Sequence, residues 1–329
     1  MNPVIEALIA NPGQYFATDQ KPIVVQTEHR RFTYSCMEIC TLGFEGKELK
    51  VFVKAPATGG HELKLARLKT EFSVLQELSR LFADCQSLGV PRPVGLFPGL
   101  ESIVTEECPG EPFGRLLSRG ARRWSSEFGT AATACRLAGQ WLRTFHAATA
   151  DSEAVLDVQG LIDYCQFRID YLVKTPTSGV TSALGQRVMR TIVRLANAGS
   201  GEAIKVAGCH NDFSPNNILV SDGRLFVIDF TMFDHQPIFF DLYSFWTNLE
   251  LLKHDPQFSR RRLSRMQEEF LSSYGVSLDH ETPIMTAVRY RNMLTKMTTL
   301  LDPAPTWYGN MVRKRMYRFC LDWVIANAR

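Results

Sequence analysis

Much of what would place this 329-residue chain in other functional classes is missing from it. None of its 8 cysteines, at positions 36, 40, 85, 108, 135, 165, 209 and 320, forms a CxxC pair. Most sit in apolar runs such as Tyr34-Ser35-Cys36-Met37. That argues against a disulfide framework or a cysteine zinc site and predicts buried free thiols in a reducing compartment. No uncharged apolar run approaches the ~20 residues that span a bilayer. The start, Met1-Asn2-Pro3-Val4-Ile5-Glu6, lacks a basic segment and a long apolar core, so no secretory signal is expected and the cytosol is the expected compartment. Charge is weak as well. A formal net charge of +3 is too mild for a nucleic-acid-binding face. Arg122-Arg123, Arg260-Arg261-Arg262 and Arg313-Lys314-Arg315 read as solvated helix faces. Internal repeats and low-complexity tracts are absent, and no GxGxxG lies between the first strands.

What is present is ordinary core-forming sequence, 45% hydrophobic and 22% charged, arranged in two parts. A short helix over 4 to 10 stops at Asn11-Pro12-Gly13. Strand-like runs follow at Ile23-Val24-Val25, Thr33 to Thr41 and Lys50 to Lys54, with a basic turn Glu28-His29-Arg30-Arg31-Phe32 between the first two. His61 to Phe82 is helical, since Leu65, Leu68, Phe72, Leu75, Leu78 and Phe82 recur at three- and four-residue steps. Val90-Pro91-Arg92-Pro93 forces an extended connection. Short strands are expected near Gly95 to Phe97 and Ser102 to Thr105. Beyond Pro112 the pattern is helical except for one hairpin. Helices are expected over 134–148, 161–173, 188–196, 241–252, 262–274, 286–301 and 311–328. The class is α+β, with a β-rich lobe over 1–109 and an α-rich lobe over 110–329.

The hairpin carries the chemistry. His210-Asn211-Asp212-Phe213-Ser214-Pro215-Asn216-Asn217 leads into Ile218-Leu219-Val220, and after Ser221-Asp222-Gly223-Arg224 a second apolar strand ends in Val227-Ile228-Asp229. His-x-Asp-x-x-x-x-Asn is the spacing of a kinase-type catalytic loop. In that chemistry the Asp accepts the proton of the attacking hydroxyl, and the Asn and a later Asp bind metal at the nucleotide phosphates. Asp212, Asn217 and Asp229 occupy those places. An Asx-rich turn alone explains the hairpin but not an acid closing so apolar a strand.

Phosphate transfer also needs a cation for the phosphates and an acid to hold it. Lys54 ends an apolar strand, where its ammonium requires a partner. Glu71 interrupts the apolar stripe Leu68, Leu75, Leu78 of its helix. A pair between them accounts for both, with Glu62 and Glu77 as competing acids lying off the stripe. Arg30 or Arg31 are candidates to cover phosphate in place of a glycine loop.

These residues resemble the aminoglycoside phosphotransferase and choline kinase superfamily of small-molecule kinases. The matching segments are Val51-Phe52-Val53-Lys54, Glu71 in its helix, Ile103 to Gly110, Leu142-Arg143-Thr144-Phe145-His146, the loop at 210–217 and Val227-Ile228-Asp229-Phe230. The resemblance implies a two-lobed protein-kinase-like fold, with a small antiparallel sheet and one helix in the first lobe and a mostly helical second lobe. It implies ATP with Mg²⁺ as donor, a small-molecule hydroxyl as acceptor, and a hinge near Glu107 and Cys108 whose backbone holds adenine. It makes Asp241 a brace for the catalytic loop through backbone amides; His210 and His146 are read as packing and hydrogen-bonding residues. Asn211 departs from the family's usual Gly, and Thr231 stands where protein kinases have Gly.

Only eleven residues separate Asp229 from Asp241, too few for the activation segment of a protein kinase. A kinase-like module that only binds nucleotide is the other alternative. Acceptor contacts are expected from Tyr164, Arg168 and Tyr171, from Asp234-His235, and from Tyr290, Trp307 and Tyr308. Arginines and aromatics match the acids there, which suits a neutral or anionic polyol.

Overall fold

A computed structural model describes residues 2–31, 35–56, 61–151, 156–200, 204–278 and 281–328. The chain forms two compact units, one of Met1–Glu111 with Asn217–Phe233, the other of Pro112–Asn216 with Asp234–Arg329. Two helices open the first unit. In α1 (Pro3–Ala10) the Asn2 side chain accepts the Val4 N–H, and α2 (Pro12–Phe16) follows at once. The expected stop at Asn11-Pro12-Gly13 is therefore a junction, because Pro12 sits in a first helical turn, where its missing N–H costs nothing.

Strands β1 (Ile23–Arg31), β2 (Ser35–Phe44) and β3 (Lys47–Pro56) come next, then α3 (His61–Leu81), β4 (Leu88–Gly89), β5 (Pro93–Phe97), β6 (Ser102–Glu106) and the short β7 (Glu111–Pro112). The order β1-β2-β3-β6-β5 makes one antiparallel sheet, with β3 between β2 and β6. The basic turn expected at 28–32 is strand through Arg31: His29 pairs with Glu38 and Arg30 with Met37, and the Arg30 guanidinium is bonded to Glu28. The connection itself, 32–34, lies outside the described residues. Side chains alternate along a strand, so Val51 and Val53 face a core shared with Val4, Ile5, Leu8 and Leu42. Lys54 takes the opposite face, toward α3.

The second unit begins with α4 (Phe113–Ala121), which the apolar spacing did not reveal, and continues with α5 (Phe128–Ala148), α6 (Val158–Lys174), α7 (Ser182–Ala198) and β8 (Val206–Cys209). The hairpin β9 (Ile218–Ser221) and β10 (Arg224–Val227) then clusters with the first unit, because β10 runs parallel to β4 with Leu225 opposite Leu88. Back in the second unit, β11 (Asp234–Pro237) pairs antiparallel with β8, a second break in the helical pattern besides the hairpin. Helices α8 (Phe239–Leu252), α9 (Arg260–Tyr274), α10 (Pro283–Leu300) and α11 (Trp307–Asn327) complete it. Asp157, Thr181, Ser259, Thr282 and Thr306 cap helices through side-chain oxygens, which explains where α6, α7, α9, α10 and α11 start.

An aromatic core of Trp141, Phe145, Phe213, Phe245 and Phe270 is fully buried in this unit. Phe213, inside the polar loop, stacks on Trp141 at 5.8 Å and tilts against Phe245 at 5.6 Å, so it anchors the loop. Helices α5 and α9 approach closely at Gly139, where an added Cβ would collide with the Phe270 carbonyl oxygen and the Ser273 hydroxyl. The approach also sets Tyr274 beside His146. Gly139→Ala is expected to cost about 1–3 kcal/mol by overpacking, read as a lowered urea midpoint with unchanged slope.

Candidate functional site

Four side chains converge in the first unit. The Lys54 ammonium, with three N–H donors, lies within hydrogen-bond distance of Glu71 Oε1 at 2.8 Å and Oε2 at 3.0 Å, of Asp229 Oδ1 at 2.7 Å and of Thr231 Oγ1 at 2.6 Å. The Thr231 hydroxyl, which has one proton to give, lies 2.6 Å from Asp229 Oδ1 and 3.0 Å from Glu71 Oε2. Glu71 is 2% exposed, and the Lys54 side chain is 15% exposed. Burial works to lower the Lys54 pKa, but Glu71 and Asp229 outweigh it and hold the ammonium above its ordinary value. Of the two competing acids, Glu77 is exposed and the Glu62 side chain lies outside those described; the pairing observed is with Glu71. Thr231 entered the sequence reading only as a departure from glycine; its hydroxyl completes the cluster.

Asp229 reaches Lys54 from just beyond β10 with φ 68°, in the left-handed region that costs an Asp little. Asn217 ends a short 3₁₀ turn (Pro215–Asn217), and its carbonyl accepts the Ile228 N–H at 3.0 Å. That bond fixes the Asn217 backbone beside the segment leading to Asp229. An amide oxygen and a carboxylate are hard oxygen donors, the set that suits Mg²⁺. Just after β6, the Glu107 N–H donates to the Lys50 carbonyl at 2.9 Å, and its carboxylate pairs with Lys50 Nζ at 3.0 Å. Burial pushes the Cys108 thiol up to about 12, so it stays protonated.

Asp212 belongs to the second unit, exposed on the loop that follows β8. The loop is held from below. Asp241, at the start of α8 and fully buried, accepts the His210 N–H at 2.7 Å and the Asn211 N–H at 2.8 Å with its two oxygens. His146 Nε2 lies 3.3 Å from the same carboxylate, and its Nδ1 lies 2.9 Å from the Tyr274 hydroxyl. The Asp212 N–H donates to His210 Nδ1 at 3.3 Å. Asn211 has φ 61°, the conformation in which glycine is cheapest and Asn the next best substitute. Tyr274 was not legible in the sequence as a partner of His146, because a tyrosine ending an amphipathic helix reads as core.

His146, Cys209 and Asp241 also cluster closely enough to suggest a metal. Both Asp241 oxygens are occupied by amides, and burial raises the Cys209 thiol well above its ordinary pKa. The cluster is a brace.

Among the acceptor candidates, Tyr290 is corrected to core: it is fully buried, edge-on to Trp323 at 4.9 Å. Trp307 is 79% exposed, and the Tyr308 hydroxyl bonds Asp255. Tyr171 and Asp234-His235 are exposed. Tyr164 and Arg168 of α6 bridge to α10: the Tyr164 hydroxyl lies 3.0 Å from Thr295 Oγ1, and Arg168 donates to Tyr164 and Thr298.

Asp241→Asn would turn an amide N–H₂ against one of the two loop N–H donors. A loss of about 1–3 kcal/mol is expected from the buried donor left unsatisfied. Denaturant titration of the variant measures it.

Comparison with known proteins gives these arrangements a context. The model of the phosphotransferase enzyme family matches residues 45–275. Among curated proteins none matches. Solved structures of similar fold include choline kinase from Cryptosporidium parvum Iowa II, at TM-score 0.56 and 14% identity over 98% of this chain and 96% of that one. The streptomycin–ATP complex of APH(2")-IIa follows at 0.54 and 14%, covering 98% and 95%. Macrolide 2'-phosphotransferase MphH from Brachybacterium faecium also aligns at 0.54, with 13% identity over 100% and 98%. The fold is protein-kinase-like, a small antiparallel sheet with its helix followed by a mostly helical part. With a family match running through both units and over more than half the chain, this protein belongs to the phosphotransferase enzyme family.

Proposed function

We propose that the chain transfers the γ-phosphate of ATP to a hydroxyl group of a small molecule. The observation that carries this reading is the convergence of Lys54, Glu71 and Asp229, residues 17 and 175 positions from Lys54, on one ammonium. A stability role alone gives no reason to gather a cation and two acids where one acid, Asp229, stays 47% exposed. ATP is bound in the APH(2")-IIa complex, and the molecules named for the fold neighbours, streptomycin, macrolides and choline, are all hydroxyl-bearing.

In this mechanism Lys54 places its charge on the donor's phosphate oxygens, and Glu71, with Thr231, keeps the ammonium from turning away. Asn217 and Asp229 would hold Mg²⁺, which would supply positive charge to offset that of the nucleotide phosphates. Backbone groups near Glu107 and Cys108 take the adenine. Asp212 accepts the proton of the acceptor hydroxyl as its oxygen bonds to the γ-phosphorus; the bond from that phosphorus to the bridging oxygen breaks and ADP leaves. The loop brace makes Asp212 a positioned base, since Asp241 fixes the two residues before it.

Asp212→Asn is expected to lower kcat by about 10²–10⁴-fold, the usual loss for a general base, and to keep ATP affinity. A variant with undiminished turnover on the true acceptor would refute the assignment. Wild-type protein that binds ATP but transfers nothing would be a binding module. Lys54→Met and Glu71→Ala should be non-additive in kcat/KM, deviating by more than the ~0.3–0.5 kcal/mol within which independent sites add. Strict additivity would mean that the pair does not act as a unit.

A further inference from the structure

Two basic clusters of the sequence converge on one cavity in the second unit. Arg260, at the start of α9, lines it together with Arg315 and Arg318 of α11. The cavity holds about 510 Å³, within the range of roughly 300–1,000 Å³ usual for small-molecule sites. Neighbouring arginines of the same clusters are spent on the fold. Arg262 donates to the Gly120, Arg122 and Ser125 carbonyls, and Arg313 to those of Thr299 and Asp302. The cavity arginines are not. Arg260 gives only its Nε, to the Lys253 carbonyl at 3.2 Å, and Arg315 makes no hydrogen bond or ion pair among the described residues. Arg318 comes no nearer than 3.9 Å to Asp322, the one acid of the lining.

The rest of the lining is aromatic. His254, just past the end of α8, lies against Phe319 with ring centroids 4.4 Å apart and planes at 30°. Trp323, one turn further along α11, is fixed by Tyr290 edge-on at 4.9 Å and by the Arg289 guanidinium over its ring at 4.7 Å. Guanidinium forks match the oxygens of an anion, and held rings take a planar group. A concavity lined by one sign of charge also concentrates counter-ions. Three arginines against one acid suit a dianion, hence a phosphate monoester before a carboxylate. Helix α8 runs from the Asp241 brace to Leu252, which lies about 17 Å further along a straight helix axis. The cavity is therefore at the other end of α8 from the brace of the loop that carries Asp212.

We propose that this cavity is a second ligand site, for a small molecule that joins a phosphate to a planar ring. Arg260, Arg315 and Arg318 take the phosphate, and His254, Phe319 and Trp323 take the ring. Burial lowers the pKa of His254, so its ring is neutral at pH 7 and serves as a stacking surface. The phosphotransferase reading does not depend on this site.

Saturation-transfer NMR on the full-length protein tests it, with phenyl phosphate as the probe, a molecule with no alcohol to phosphorylate. Saturable binding is expected, tighter than that of phenol, and displaced by inorganic phosphate only at higher concentration. Arg315→Gln and Arg318→Gln should each weaken it about tenfold, as loss of a hydrogen bond to a charged group implies. Asp322→Asn should tighten it about two- to fivefold, the scale of an exposed ion pair; general loss of structure cannot produce a gain. Arg261→Gln, exposed beside Arg260 but outside the cavity, should change nothing. Binding that is insensitive to Arg315→Gln and Arg318→Gln overturns the proposal, because the phosphate is then held elsewhere. Equal weakening by Arg261→Gln overturns it too, as the mark of unspecific surface charge. So does an affinity for phenol or for inorganic phosphate that equals the probe's, which leaves the arginines or the rings without a role.

Discussion

An ammonium on a central strand cannot stand without anions, and the first unit is organised around that requirement. Lys54 lies on the face of β3 opposite Val51 and Val53, which belong to the apolar core. Removing one member of such a buried pair costs roughly 3–5 kcal/mol, so α3 must present Glu71 and the hairpin must present Asp229. The stripe of Leu68, Leu75 and Leu78 fixes the rotation of α3 that turns Glu71 inward. The parallel pairing of β10 with β4 brings the end of the hairpin within reach of the same lysine. Thr231 is the small polar group that joins the two acids and the cation without adding charge.

The second unit solves a different problem, holding an exposed loop still. Backbone amides at 210 and 211 point inward and are absorbed by one buried carboxylate, Asp241, which His146 and Tyr274 in turn orient. Phe213 inserts into the aromatic core between its polar neighbours. Together these leave Asp212 exposed on a loop whose flanking residues are fixed, the arrangement a general base requires. The same logic accounts for Asn211: the turn needs a positive φ, and Asn tolerates it.

How far the sequence revealed this depended on whether a residue violated its local pattern. Lys54 at the end of an apolar strand, Glu71 within an apolar stripe and Asp229 after Val227-Ile228 were legible because each breaks a regularity that burial would otherwise impose. Tyr290, Tyr274 and Lys296 break none. An aromatic or a lysine on an amphipathic helix has the same spacing whether it faces core or solvent, so the pattern alone gives neither the burial of Tyr290 nor the bond from Lys296 to Asn248. The β8–β11 ribbon was hidden because Asp234-His235-Gln236-Pro237 lacks strand formers; its pairing is imposed by tertiary context. The turn expected at 28–32 failed for a related reason: charged residues on an exposed edge strand look like a loop, while their backbone keeps the ladder.

The central claim is that the Lys54, Glu71, Asp229 cluster exists to bind the metal-complexed phosphates of a nucleotide. Calorimetric titration of ATP into wild type and Asp229→Ala, with Mg²⁺ and with chelator, tests it most directly. The account predicts that Mg²⁺ tightens ATP binding to the wild type and that Asp229→Ala abolishes this gain while remaining folded. Equal affinities for both proteins, with or without Mg²⁺, would contradict it.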